Sequence, residues 1–211
     1  MPSKSDIKTD IEFLQSLEEG EVMSQMTLSK RIGVSIGFTN ALLKRAIHKG
    51  YVKAKSAPYK RYAYYLTPRG FSEKSRLVVE YLDTSLDFFK NARNQYAELF
   101  ELAHTNGHNH IVLLGAGELA EIAVMAAWDA KIEIIAIVDT QSSREKVGNV
   151  PILKSLKEIT EYDALILTDS DAPQATFENA NRLVNNTVII VPEFLRIHDL
   201  DASEEKSEAG S

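Results

Sequence analysis

Cysteine is absent from the 211 residues. Disulfides, thiol catalysis and thiolate metal sites are therefore excluded. No apolar run approaches the length of a membrane span, and the polar stretch Met1–Asp10 does not read as a signal peptide. A soluble, cytoplasmic protein with no membrane partner is expected. The third scarcity is local: Val22 through Ser72 hold no Asp or Glu. The same stretch carries Lys30, Arg31, Lys44, Arg45, Lys49, Lys53, Lys55, Lys60, Arg61 and Arg69, in a chain whose formal charge is -6. Residues 1–70 hold 12 Lys+Arg against 6 Asp+Glu, and the remainder 12 against 24. Two parts of opposite charge point to two tasks. The basic one fits either a surface for a polyanion or a plain solvated face.

What is present in the basic part decides between these readings. Ile7, Ile11, Leu14 and Leu17 recur at helical spacing over Asp6–Leu17. Thr27 is read as the cap of a short helix, Leu28–Ile32. Gly33 gives a turn, and Ser35 caps a helix that runs to Lys49 and stops at Gly50. Helix, tight turn, helix is the arrangement that places its second helix in a DNA groove. Ile36, Thr39, Leu43, Ala46 and Ile47 are assigned to the core. Gly37, Asn40, Ala41, Lys44 and His48 form the opposite face, with Ser35 at its start. Its small residues permit close approach to DNA. Asn40 can pair with an adenine edge, and Lys44 can reach a guanine or a phosphate. Tyr51–Ser56 and Tyr62–Leu66 read as a β-hairpin with Lys60 and Arg61 at its tip, suited to phosphate or the minor groove.

The runs Val34-Ser35-Ile36-Gly37-Phe38-Thr39-Asn40 and Leu43 through Lys53, with the hairpin exit Tyr64-Tyr65-Leu66-Thr67-Pro68-Arg69-Gly70, resemble winged-helix regulators of the MarR-like type. The likeness is greatest to the branch associated with exopolysaccharide genes. It implies a DNA-binding transcription regulator, usually dimeric. From Pro68 onwards, Val78, Leu82, Ser85, Phe89, Ala92, Tyr96, Leu99 and Ala103 make a seam widened by Leu86 and Phe100. A homodimer through residues 78–103 is expected from it.

The second part has a different character. His110–Leu114 is a short apolar run, followed by Gly115-Ala116-Gly117-Glu118-Leu119-Ala120 and helical sequence to about Trp128. Ile132–Val138 is a second strand ending at Asp139. Strand, G-x-G-x-x-A, helix, strand and acid form the fingerprint of a dinucleotide fold. Gly115 permits the turn, and Gly117 lets a pyrophosphate approach the helix amides around Glu118 and Leu119. Asp139 can accept from ribose hydroxyls. Glu118 would itself repel a phosphate. Ala164–Thr168 and Val188–Val191 are read as strands three and four, giving the order 3-2-1-4, with Thr168 to Asp171 at the ligand-binding end. His108 and His110 fit a loop and strand entry better than a metal site.

These second-part motifs, with Gly148-Asn149-Val150-Pro151-Ile152-Leu153, resemble the small Rossmann-like domains of polysaccharide-biosynthesis enzymes. The resemblance implies a nucleotide sugar or related cofactor as ligand. No acid–base pair is recognisable at the glycine turn, so no catalytic residue and no enzyme activity are expected. The fold class expected is α/β and multi-domain. A winged helix occupies residues 1–70, a connector helix 71–106, a Rossmann-like sensing domain 107–198 and a disordered acidic tail 199–211. The function expected is a regulator of double-stranded DNA governed by a small nucleotide effector. An NAD(H)-responsive regulator of Rex-like design and a nucleotide-sugar-modifying enzyme remain the alternatives.

Overall fold

The computed structural model describes residues 4–18, 21–57, 61–130, 132–184 and 187–198. The tail expected over 199–211 lies outside them. The chain is α/β and forms two compact units, Met1–Asp87 and Phe88–Ser211. The division falls inside a long helix rather than at its ends.

In the first unit, α1 (Lys4–Gln15) is followed by the two-residue strand β1 (Val22–Met23), α2 (Gln25–Arg31) and α3 (Ile36–His48). The cap of α2 is Ser24, whose hydroxyl accepts from the Thr27 amide at 3.1 Å, so Thr27 is the capped residue and not the cap. Gly33 makes the turn at φ 68, and Ser35 caps α3 by accepting from the Phe38 amide, as its position before the apolar stripe indicates. The buried stripe of α3 is Thr39, Leu42, Leu43 and Ala46. Ile36 and Ile47, assigned to the core from sequence, are 45% and 42% exposed. The i, i+3, i+4, i+7 arc is completed by Leu42, and its two flanks turn outwards.

The antiparallel strands β2 (Val52–Ala57) and β3 (Arg61–Leu66) form the hairpin, and β1 adds to the outer edge of β3 through Val22 and Ala63. Two residues carry too little alternation for β1 to be recognised in sequence. Phe13, Leu17, Leu28, Leu43, Val52 and Tyr64 are buried at the centre of this unit.

The helix α4 (Pro68–Thr105) starts with proline, where no intrahelical donor is needed. The Thr67 hydroxyl accepts from the Gly70 amide at 3.1 Å and donates to the Gly50 carbonyl. A Cβ on Gly70 would lie 2.2 Å from the Tyr51 carbonyl oxygen, so glycine is required there by close packing.

The second unit is built on a sheet of β4 (His110–Leu114), β5 (Glu133–Val138), β6 (Lys146–Val147), β7 (Val150–Leu153), β8 (Ala164–Leu167) and β9 (Val188–Ile190). Its order is β6-β7-β5-β4-β8-β9, parallel except for the β6–β7 edge. The order 3-2-1-4 fails for the strands read from sequence, because Ala164–Leu167 pairs with β4 and not with β5. The place beside β5 belongs to β7, which Pro151 and a preceding glycine disguised as loop. With β7 counted, the parallel strands run 3-2-1-4-5, the Rossmann-like order.

Alternate residues of each strand serve opposite faces. Ile111, Leu113 and Ile166 share one core with α5 (Glu118–Ala130) and with Ala92, Tyr96, Phe100 and Ala103 of α4. Val112, Leu114, Leu165 and Leu167 meet α6 (Pro173–Leu183) through Phe177 and Ala180.

This packing gives four residues of the expected seam a partner within their own unit. Ala92, Tyr96, Phe100 and Ala103 are wholly buried within their own unit and are closed to a second copy. Burial pushes the Tyr96 phenol up in pKa, and its hydroxyl donates to the Leu167 carbonyl at 3.0 Å. A helix seam and a helix face covered by a sheet have the same apolar period, so periodicity alone cannot separate them.

Two glycines should respond differently to a methyl group. Gly70→Ala is expected to cost about 1–3 kcal/mol through overpacking against Tyr51. Gly37→Ala meets nothing within 4 Å and should be neutral or stabilising by up to about 1 kcal/mol, as usual within a helix. Thermal denaturation of both variants checks the contrast.

Candidate functional site

The glycine turn joins β4 to α5 at the carboxyl ends of the parallel strands. Gly115 has φ 104, and a Cβ there would stand 2.7 Å from the Asp169 backbone. The protein therefore needs this glycine for its own folding. Gly117 differs: its φ is not positive, and an added Cβ would meet only Ser170 Oγ, at 3.7 Å. Nothing in the chain itself requires a bare backbone at Gly117, which leaves room beside the start of α5. The first amides of α5 have no acceptor within the helix, as at any helix N-terminus. Glu118 is exposed there, whereas the Leu119 side chain is buried, so only its backbone can face a ligand.

Two side chains fasten the turn. Asp139 Oδ2 accepts from the Ala116 amide at 3.0 Å, and Oδ1 accepts from the Gln141 and Ser142 amides at 2.8 and 2.9 Å. Partial burial pushes the Asp139 carboxyl up, but these three donors, with Lys154, hold it below the usual carboxylate value. Three of about four acceptor positions are thus occupied. Thr168 is wholly buried, and its hydroxyl lies 3.0 and 2.7 Å from the Leu114 and Gly115 carbonyls. Thr168 holds the turn from beneath. Its expected role as a ligand contact is corrected accordingly.

A cavity of about 480 Å³ opens beside the turn, on the α6 side of the sheet. Gly115 and Asp139, both expected at the site, line it. Asp169 and Asp171, within the stretch Thr168 to Asp171 expected near the ligand, line it too, as do Gln141, Lys154, Thr176 and Asn179, which were missed as site residues. Thr176 and Asn179 stand at i, i+3 on α6, a signal that sequence offers only once that face is known to border the strand ends. Lys154 follows the unrecognised strand β7. Its ammonium donates to the Ser142 and Asp139 carbonyls. Asp169 accepts from the Asp171 and Ala172 amides and from the Thr176 hydroxyl.

In the first unit, Gly37, Ala41, Lys44 and His48 are exposed and Asn40 half-buried. Their spacing places them on one face of α3, as expected. The Asn40 carbonyl oxygen lies 3.5 Å from Gln25 Nε2. The Ser35 hydroxyl is engaged as the cap. Lys60 lies outside the described residues, and of Arg61 only the backbone is described, as the first residue of β3. Sequence reasoning passed over Lys53, Lys55 and Tyr65. All three are exposed, Lys53 sits directly opposite Tyr65 in the hairpin register, and Lys55 shares their face. Strand alternation carries this signal. His110, the first residue of β4, has Nδ1 3.3 Å from the Asp163 carboxylate. Among the described residues no helix is long and apolar enough to cross a membrane.

No protein-family model matches the chain, and no curated protein matches it. Among solved structures it is similar to RV1404 from Mycobacterium tuberculosis, at 22% identity over 37% of this chain and 54% of that one, with a TM-score of 0.30. It is similar to RSP in complex with β-NADH, at 14% identity over 98% and 93% of the two chains, with a TM-score of 0.33. Human N-acetylserotonin methyltransferase with SAM follows, at 15% identity over 89% and 74%, with a TM-score of 0.31. The chain thus spans about half the length of the first of these. The last is an enzyme, which corrects the expectation of a protein without enzyme activity. At this similarity it brings no reaction to the present chain.

The Asp139 network makes a pH prediction. Its carboxyl is lowered on folding, so its contribution is complete above the unfolded value near about 4 and is lost as pH falls through the folded value. Asp139→Asn should therefore lower the melting temperature at pH 7, and its deficit against wild type should shrink in acid below about pH 4. Thermal melts across pH 2–7 read this directly. Gly115→Ala should disrupt folding, whereas Gly117→Ala should melt within about 2 °C of wild type, as expected for a ΔΔG well under 1 kcal/mol.

Proposed function

We propose that the chain is a DNA-binding transcription regulator. Its first unit acts as a MarR-like winged helix, with α3 in the major groove and the β2–β3 hairpin on the flanking backbone. Its second, Rossmann-like unit binds a nucleoside-containing effector at the glycine turn. The observation that carries the DNA half is the α3 face of Gly37, Ala41, Lys44 and His48. It is small at one end, basic at the other, and set in a stretch without a single carboxylate. Lys53, Lys55 and Tyr65 add a basic and aromatic face on the hairpin. Phosphate contacts from such a face fix register, while Asn40 and Lys44 read base edges.

The effector half is supported by the cavity between the ends of β4, β5 and β8, where ligands of open parallel sheets bind. Asp139 lines it with three of about four acceptor positions filled, and Gly117 leaves room beside the start of α5. A second copy of the chain is proposed to cover Phe71, Val79, Leu82 and Leu86, exposed apolar residues of α4 outside the core of the C-terminal unit. Groove binding by both copies then requires the two α3 helices to stand about one DNA turn, roughly 34 Å, apart. An effector acts only through different affinities for the DNA-bound and free arrangements.

The DNA claim is tested by selecting a sequence from a random duplex pool and measuring binding to it and to unrelated duplex. Asn40→Ala and Lys44→Ala should narrow the difference between the two. Lys53→Ala with Lys55→Ala should weaken both alike and reduce the slope of log affinity against log salt by about 0.9 for each lost phosphate contact. Lys60→Ala and Arg61→Ala should behave as that pair. Wild-type affinity in all these variants would reject groove binding by this unit.

A further inference from the structure

Resting on the reading that the cavity beside Gly115 holds a nucleoside, we propose that it selects a ligand whose 5′ substituent is uncharged or cationic. A sulfonium-bearing adenosine fits, and nucleoside diphosphates are disfavoured. The argument is electrostatic and geometric. A pyrophosphate at a helix N-terminus is favoured by the helix dipole and by free backbone amides. Here those terms meet an unusual concentration of opposing charge. Asp139, Asp169 and Asp171 line the cavity; Glu118, in the first turn of α5, is not part of the lining.

The counter-charge that would offset them is committed elsewhere. Lys154 is the sole cation among the lining residues, and its ammonium already donates to the Ser142 and Asp139 carbonyls. Arg144, the nearest arginine in sequence to Asp139, is paired with Glu121 at 2.9 Å. The turn amide of Ala116, which a phosphate would otherwise claim, donates to the Asp139 carboxylate.

The remaining features suit the nucleoside itself. Leu114, Val138, Leu156 and Ala175 give apolar walls, and Asn179 and Gln141 offer amide donors and acceptors for a base. The free acceptor position of Asp139 serves a ribose hydroxyl. A cation on the 5′ side then faces Asp169 and Asp171, whose charges attract it. A diphosphate at the same place faces them as like charges.

Isothermal titration of the full chain with adenosine, uridine, S-adenosylmethionine, ADP, UDP-glucose and NADH, at low salt with and without Mg²⁺, tests this. The expected result is that at least one of the first three binds about ten-fold or more tightly than each of the last three, a difference of about 1.4 kcal/mol. Asp171→Asn, which removes one charge at a carboxylate with no hydrogen bond among the described residues, should narrow that gap several-fold. An unchanged gap in this variant would overturn the charge argument. Equal or tighter binding of a diphosphate would overturn the inference and leave the effector site standing. Binding by none of the six would overturn both.

Discussion

The glycine turn after β4 is held from two sides, and the second unit depends on that grip. From β5, the Asp139 carboxylate gathers the amides of Ala116, Gln141 and Ser142. From β8, the Thr168 hydroxyl reaches the Leu114 and Gly115 carbonyls. The three central strands of a parallel sheet carry no hairpins that would set their ends. These two side chains fix where the ends stand, and hence where the cavity opens. The close approach of Asp169 to Gly115 is the steric form of the same constraint.

Neighbouring packing follows from that arrangement. Leu167, one residue before Thr168, receives the Tyr96 hydroxyl from α4. The Tyr96 ring in turn meets Phe194 edge-on, and Phe194 meets Phe88 in the same way. Part of a long helix is thereby built into the nucleotide-fold unit as a core element. The same helix supplies Leu77 to the core of the first unit. These aromatic contacts begin at Leu167, at the carboxyl end of β8, and tie the C-terminal part of α4 to the sheet.

Charge separates the two units more sharply than fold does. In the first, acids are missing from the whole α2-to-hairpin stretch, and the few cations that are paired, such as Arg45 with Asp10 and Arg31 with Glu21, find their partners outside it. Lys44, Lys53 and Lys55 stand exposed on faces without a carboxylate partner of their own segment. In the second unit the imbalance is reversed and reaches the cavity itself.

Much of this was legible in the amino-acid order because it is local. Ser35, Gly33 and Gly50 mark the limits of α3, since capping and left-handed turns are decided within a few residues. Gly115 and Asp139 announce the turn and the acid that faces it, for the same reason. What the tertiary structure alone decided depends on partners distant in the chain. The strand β7 is recognisable only beside β5, and β1 only beside β3. Thr168 reads as a ligand contact until Leu114 and Gly115 are seen above it. On α4, Ala92, Tyr96, Phe100 and Ala103 read as dimer contacts until the sheet is seen to cover them. An apolar period states that a face will be buried, but only three-dimensional packing states by what.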